Sequence, residues 1–274
     1  MKYNKLEHHG FIPDEIKPED YVFGSSILPS DILQPTGQWD EFLPTDERQN
    51  VNGVETYNCT SFGTLNCLEI LYKRLFGQST NLSERYTGIC AGTDPYVAKG
   101  NSPQTVIQNI RNVGVIDDSL LPFGLDINTV EKYYSPNPMS GDLKSKGETW
   151  LSWHKVFHEW VDGDPQSMMD ALKVSPLGVG VYAWAFDGEK YVRMGSDTHW
   201  TCIYGYEEGK YWKCFDSYDS THKKLAWNFD FKYVKRYHID KNLSQQEISI
   251  YSKMLSIIAE MLKLISKAYG KLTS

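Results

Sequence analysis

No stretch of this 274-residue sequence holds the roughly 18 consecutive apolar residues that a membrane-spanning helix needs, so no span is expected. The opening "MKYNKLEHHGFIPDEIKPEDY" has no apolar core of the kind a secretory signal carries, which makes the cytosol the default compartment. Basic residues are in deficit: 28 Lys and Arg face 35 Asp and Glu, and the net charge of -7 argues against a nucleic-acid partner. Cysteine is scarce, odd in number and without paired spacing. Five residues (Cys59, Cys67, Cys90, Cys202, Cys214) with no CxxC fit reduced thiols better than a disulfide framework or a zinc site. What the chain does have is 41% hydrophobic and 14% aromatic residues, ample for a packed core.

Residues 1–42 are rich in proline and turn formers and read as an extended arm with little helix. From Thr60 to Phe76, apolar residues recur at helical spacing and Gly77 stands as the C-cap. A second helix is expected from about Ser102 to Val113, opened by Pro103 and stopped by Gly114. Residues 126–149 carry so many turn formers that a long connection is expected there, followed by a helix capped near Asp164.

From residue 177 onward the character changes to β-branched and aromatic runs, with "CIYGYEEGKYWKCF" forming a hairpin. Helices first and strands second give an α+β fold. Residues 243–274 read as one long amphipathic helix, in which Met254, Ile258, Met261 and Ile265 fall on an apolar face too wide for a two-stranded seam. That face leaves three readings open: packing on its own domain, a homo-oligomeric bundle, or contact with a membrane interface or docking partner.

Thiolate chemistry favours a cysteine at a helix start, where unpaired N–H groups and the dipole stabilise negative charge. Cys59 holds that place, whereas Cys67 lies two turns on among leucines and reads as core. A nucleophilic cysteine also needs a base and a group that orients it. His199, at the head of a strand, and Asp216, just past the next strand of the hairpin, are the candidates, 140 and 157 residues beyond Cys59. The remaining histidines fit less well. His154 and His158 have the i, i+4 spacing of a helical metal pair, but no HExxH pattern and no further ligand accompany them, so neither metal nor cofactor is expected.

The order Cys, His, Asp across an α-rich and a β-rich half resembles the papain-like cysteine peptidases. "NCTSFGTLNCLE" is similar to that family's "SCWAFS" helix start, "THWTCIYGYEEGKYWKCFDSYD" to its "NHAVLLVGY…YW…KNSWG" block, and "FDFKYVKRYHI" to its closing strand. The likeness spans roughly residues 43–240 and is closest to divergent microbial and bacteriophage members, since Thr56 stands where secreted papains have a paired cysteine.

The resemblance implies a two-lobed domain over 43–242, with a helical lobe at about 43–125 and a β-barrel-like lobe at about 150–242. It implies a peptidase acting on a peptide or protein substrate, with Cys59 as nucleophile, His199 as base and acid, and Asp216 in place of the family's usual Asn. It further implies a preformed Cys–His ion pair, with a thiolate pKa of about 3–4 as in papain itself. The oxyanion hole would combine the Cys59 N–H with a side-chain amide, for which Asn52 in "NG" is slightly preferred over Gln49. Gly100, Asn101, Ser102, Thr198, Trp200 and Tyr218 match substrate-lining positions. A typical inhibitory pro-segment would be longer than this arm, so control is expected from the arm crossing the cleft or from assembly through the last helix. The rival reading is a non-catalytic, virion-associated or structural protein on the same fold, docked by that helix.

Overall fold

The structure is a computed structural model that describes residues 2–3, 9–17, 20–24, 31–218 and 221–241, together with 254, 257, 258, 261, 262 and 265. Its first half is helical: α1 (Cys59–Phe76), α2 (Glu84–Cys90) and α3 (Pro103–Val113). Gly77 closes α1 in the left-handed region at φ 69°, as the sequence predicts. The expected connection over 126–149 is instead mostly structured. It contains a short α4 (Val130–Tyr133) and the thirteen-residue α5 (Gly141–Trp153), capped by Thr129 and Ser140 through side-chain hydrogen bonds.

After α5 the chain enters the strand β2 (His154–Trp160), then α6 (Pro165–Leu172), whose N-cap Asp164 accepts two backbone N–H bonds. Strands β3 (Leu177–Val181), β4 (Ala185–Phe186), β5 (Tyr191–Val192), β6 (His199–Glu207), β7 (Tyr211–Phe215), β8 (His222–Ala226) and β9 (Val234–Lys241) follow. With β1 (Lys2–Tyr3) they form one sheet in the order β1-β4-β5-β8-β7-β6-β3-β9-β2. All pairings are antiparallel except β5 with β8. The sheet has two ends and is not a closed barrel, which corrects the barrel-like expectation; β1 and β2 stand at opposite edges. Of the expected C-terminal helix over 243–274, only six positions lie among the described residues. Met254, Ile257, Ile258, Met261, Leu262 and Ile265 are helical and exposed there.

The core forms where α1 crosses β6. Leu65, Leu68 and Leu71 of α1 pack with Ile107 and Ile110 of α3 and with Val179, Ile203 and Trp212 of the sheet. The close crossing depends on Gly63, where a Cβ would come within 2.9 Å of the Trp200 ring and 3.1 Å of the Thr201 backbone. This contact fixes the mouth of α1 against the first residues of β6.

On the other side of α1, a cavity of about 280 Å³ is lined by Glu47, Glu84 and Asp118 together with Arg48, Phe62 and Phe123. Burial, then the neighbouring Glu47, pushes the Glu84 and Glu69 carboxyls well up, and the same two causes bring Asp118 to about 6. These groups keep their protons longer in the folded state than in the unfolded chain, whose carboxyls titrate near about 4. Their contribution to stability is complete below that value and is lost as pH rises through the raised pKa values. Thermal denaturation should therefore show a Tm that falls as pH rises from about 4 through the Asp118 value of about 6 and on through the raised values of Glu69 and Glu84, and Glu84→Gln should raise Tm on the alkaline side by about 2–4 °C for each kcal/mol recovered. An unaltered slope of Tm against pH in Glu84→Gln would contradict this reading of the cluster.

Candidate active site

Cys59 is the first residue of α1, so its backbone N–H is among those a helix leaves without an internal partner. The preceding Asn58 is locked by its side chain, which donates to the Glu84 carbonyl at 2.9 Å and to the Tyr133 hydroxyl at 2.8 Å and accepts from Ser61 Oγ at 2.7 Å. Opposite this mouth, His199 opens β6, and the β6–β7 pairing brings the end of β7 beside it. There, His199 Nε2 lies 2.5 Å from Asp216 Oδ1, with both side chains fully buried. The backbone N–H of Trp200, the residue after His199, donates to Cys59 Sγ at 3.4 Å. The imidazole Nδ1 is buried without a hydrogen-bond partner among the described residues.

The electrostatics differ from the expected ion pair. Burial raises the Cys59 thiol well above its ordinary value; the Trp200 N–H opposes this, while Glu55 and Asp216 add to it. Burial also lowers His199, outweighing the upward pull of Asp216. Thiol and neutral imidazole are thus the favoured forms here, because solvent is excluded from both. For Asp216, burial alone would raise the carboxyl, but His199 and Lys223 outweigh it and hold it well below the usual range.

The arm is what excludes the solvent. The His9 N–H donates to the Thr198 carbonyl at 3.0 Å, the Asn101 N–H to the Gly10 carbonyl at 2.9 Å, and the Ile12 N–H to the Asn101 carbonyl at 2.9 Å. His9 lies against the Tyr218 ring with centroids 4.1 Å apart and edge-on to His199 at 5.6 Å. Phe11 is fully buried, stacked on Trp200 at 5.6 Å and clustered with Cys59. Gly10, at φ 113°, passes so close to the helix lead-in that a Cβ would sit 2.1 Å from the Tyr57 carbonyl oxygen. A Cβ on Gly100 would meet the Gly10 carbonyl oxygen at 2.0 Å.

Gln49 is also buried here. Its Nε2 donates to the His9 carbonyl at 3.0 Å and to Glu55 Oε1 at 2.8 Å, while its Oε1 accepts from Ser217 Oγ at 3.0 Å. Asn52 is turned elsewhere: its Nδ2 donates to the Leu125 and Ile127 carbonyls at 3.0 and 3.3 Å. The structure thus commits the amide of Asn52, the slightly preferred candidate, to those two carbonyls, and that of Gln49 to the arm and Glu55.

Comparison with solved structures identifies the architecture. Digestive procathepsin L 3 of the Tenebrio molitor larval midgut is similar with a TM-score of 0.57 and 16% identity, over 86% of this chain and 76% of that one. The Carica candamarcensis cysteine protease CMS1MS2, in complex with E-64, is similar with a TM-score of 0.56 and 15% identity, over 73% and 96%. The bromelain protease of Ananas comosus, in complex with the E64 inhibitor, is similar with a TM-score of 0.51 and 21% identity, over 76% and 98%. The chain has a papain-like fold. No family model and no curated relative matches it.

Within the papain-like fold, the expected lining residues divide in two. Gly100, Asn101, Thr198, Trp200 and Tyr218 all touch the arm in the cleft. Ser102 instead caps α3, accepting the Thr105 N–H at 3.1 Å. His154 and His158 lie on β2, not on a helix, so four residues of strand separate them by roughly 13 Å and no shared ligand is feasible. Among the described residues, no group of three His, Cys, Asp or Glu converges on a metal position.

The sequence reading missed Lys223. This buried residue of β8 places its Nζ 2.6 Å from Asp216 Oδ2. Its position seven residues after an Asp, beyond a turn, gave no signal, because only the β7–β8 pairing brings the two together.

Proposed function

We propose that this chain is a cysteine peptidase that hydrolyses peptide or isopeptide bonds through a thioester, with Cys59, His199 and Asp216 as its triad. The observation that carries the proposal is the buried imidazole held by Asp216 at 2.5 Å, with its other nitrogen unpartnered, one residue before the Trp200 N–H that reaches the Cys59 thiol at a helix mouth. The papain-like fold alone would not carry it, since activity belongs to the site and not to the scaffold.

In this reading the arm leaves the cleft and a substrate strand takes its place. Water entering with it relieves the burial that now favours thiol and imidazole, so proton transfer from Cys59 Sγ to His199 Nδ1 becomes accessible. The thiolate attacks the substrate carbonyl, and the Cys59 N–H and Gln49 Nε2 hold the developing oxyanion. His199 then protonates the departing amine, and a water deprotonated by the same imidazole hydrolyses the thioester. The covered cleft is the resting state, in which the arm holds Cys59 and His199 fully buried. Residues 43–242 serve as the peptidase domain.

The test is hydrolysis of a peptide library by the full chain and by a Gly10→Val form with a loosened arm. Cleavage is expected in both, faster in the second, and should be absent from Cys59→Ala. Cleavage that survives Cys59→Ala would overturn the reading.

A further inference from the structure

The two oxygens of Asp216 have different partners. Oδ1 faces His199 Nε2 at 2.5 Å and Oδ2 faces Lys223 Nζ at 2.6 Å, and all three side chains are fully shielded from solvent. Lys223 Nζ also donates to the Tyr218 carbonyl and sits 5.0 Å from the centroid of the Trp184 ring. A buried carboxylate with the imidazole as its sole partner would draw a proton onto that ring, since opposite charge in a dry site strongly favours the ionised form. With Lys223 present, the carboxylate and ammonium sum to zero and the imidazole is electrically balanced as a neutral base.

We propose that Lys223 is a positioning residue that takes up the charge of Asp216, so that the Asp216–Lys223 pair acts on His199 as a neutral side-chain amide would. The inference deepens the peptidase reading and rests on it for its functional meaning. It accounts for an Asp at a position where the resembling family uses Asn: the extra negative charge arrives with its own counter-charge from β8. The groups that face His199 are Asp216 at the end of β7, Lys223 on β8, and His9 on the arm with Glu55 behind it, while Cys59 on α1 accepts from the N–H of the next residue, Trp200. The Trp184 and Tyr218 rings complete the enclosure. Of these, only Lys223 touches the carboxylate oxygen that His199 leaves open.

The test is the titration of His199 followed by NMR in the full chain labelled with ¹⁵N-histidine, with the signal assigned through His199→Gln. Lys223→Met is expected to raise the His199 midpoint by about 1 pH unit or more, a tenfold change in proton affinity. Asp216→Asn with Lys223→Met, which removes both charges, is expected to return the midpoint to within about 0.3 units of the unsubstituted chain. A purely structural ion pair would leave the midpoint in place in Lys223→Met, and that result overturns the proposal. Should Lys223→Met fail to fold, the double variant carries the test, and a midpoint displaced by more than about 1 unit there overturns it equally. The titration needs no turnover, so an inert Cys59 would remove the peptidase reading while leaving the Lys223 result to stand or fall by itself.

Discussion

Gly10→Val is expected to raise the rate of Cys59 alkylation by iodoacetamide at least about a hundredfold in the otherwise intact chain. A hundredfold change corresponds to about 2.7 kcal/mol of arm detachment. The substitution supplies that energy twice over: it forces a β-branched residue to φ 113° and drives a Cβ to 2.1 Å from the Tyr57 carbonyl oxygen, with backbone on both sides of the contact. Against it stand three backbone hydrogen bonds of residues 9–12 and the burial of Phe11, the latter worth about 1.5–3 kcal/mol. Mass-spectrometric labelling over time reads the effect directly, with the buried Cys67 and Cys202 as internal references. A labelling rate equal to that of the unsubstituted chain would mean that the arm does not guard the thiol.

The second large effect belongs to Gln49. In the Gly10→Val background, Gln49→Ala should lower kcat by about 10²–10³ with little change in KM, the loss typical of a deleted oxyanion donor. The amide already grips a carbonyl oxygen, that of His9, and is oriented by Ser217, the residue next to Asp216, so donor and triad strand move as one unit. Asn52→Ala in the same background should change kcat less than about threefold, as surface substitutions away from a site do. Equal losses in the two variants would show that the effect of Gln49 is structural.

How much of this was legible in the sequence varies with the distance over which the causes act. The helix over Cys59–Phe76 was readable because apolar spacing and a terminal glycine are local signals, and the place of Cys59 at its mouth followed. His199 and Asp216 were readable as neighbours because a tight hairpin pairs its own two strands, although the register shift between Ile203 and Gly205 was not. α5 was not, because "GDLKSKGETWLSW" mixes two glycines and four charges with few apolar residues and buries only Gly147 fully. His154 and His158 invited a helical reading through their spacing, whereas the pairing of β2 with β9 settles that stretch as strand. Gln49 could not be told from Asn52, since a single 3-10 turn over Val51–Gly53, with Asn52 in the left-handed region at φ 55°, decides where each amide turns. The arm was legible as extended chain; its seat in the cleft depends on Gly10, Phe11 and Asn101 meeting residues far away in sequence.

The central claim is that Cys59 forms a covalent acyl intermediate with His199 as its base. The most direct measurement is acid quench of the Gly10→Val chain during turnover of the peptide library, followed by mass analysis of the fragment containing Cys59. An acyl adduct is expected on Cys59, absent from His199→Ala and never found on Cys67 or Cys202. An adduct carried by another residue, or one on Cys59 that forms equally fast without His199, would contradict it.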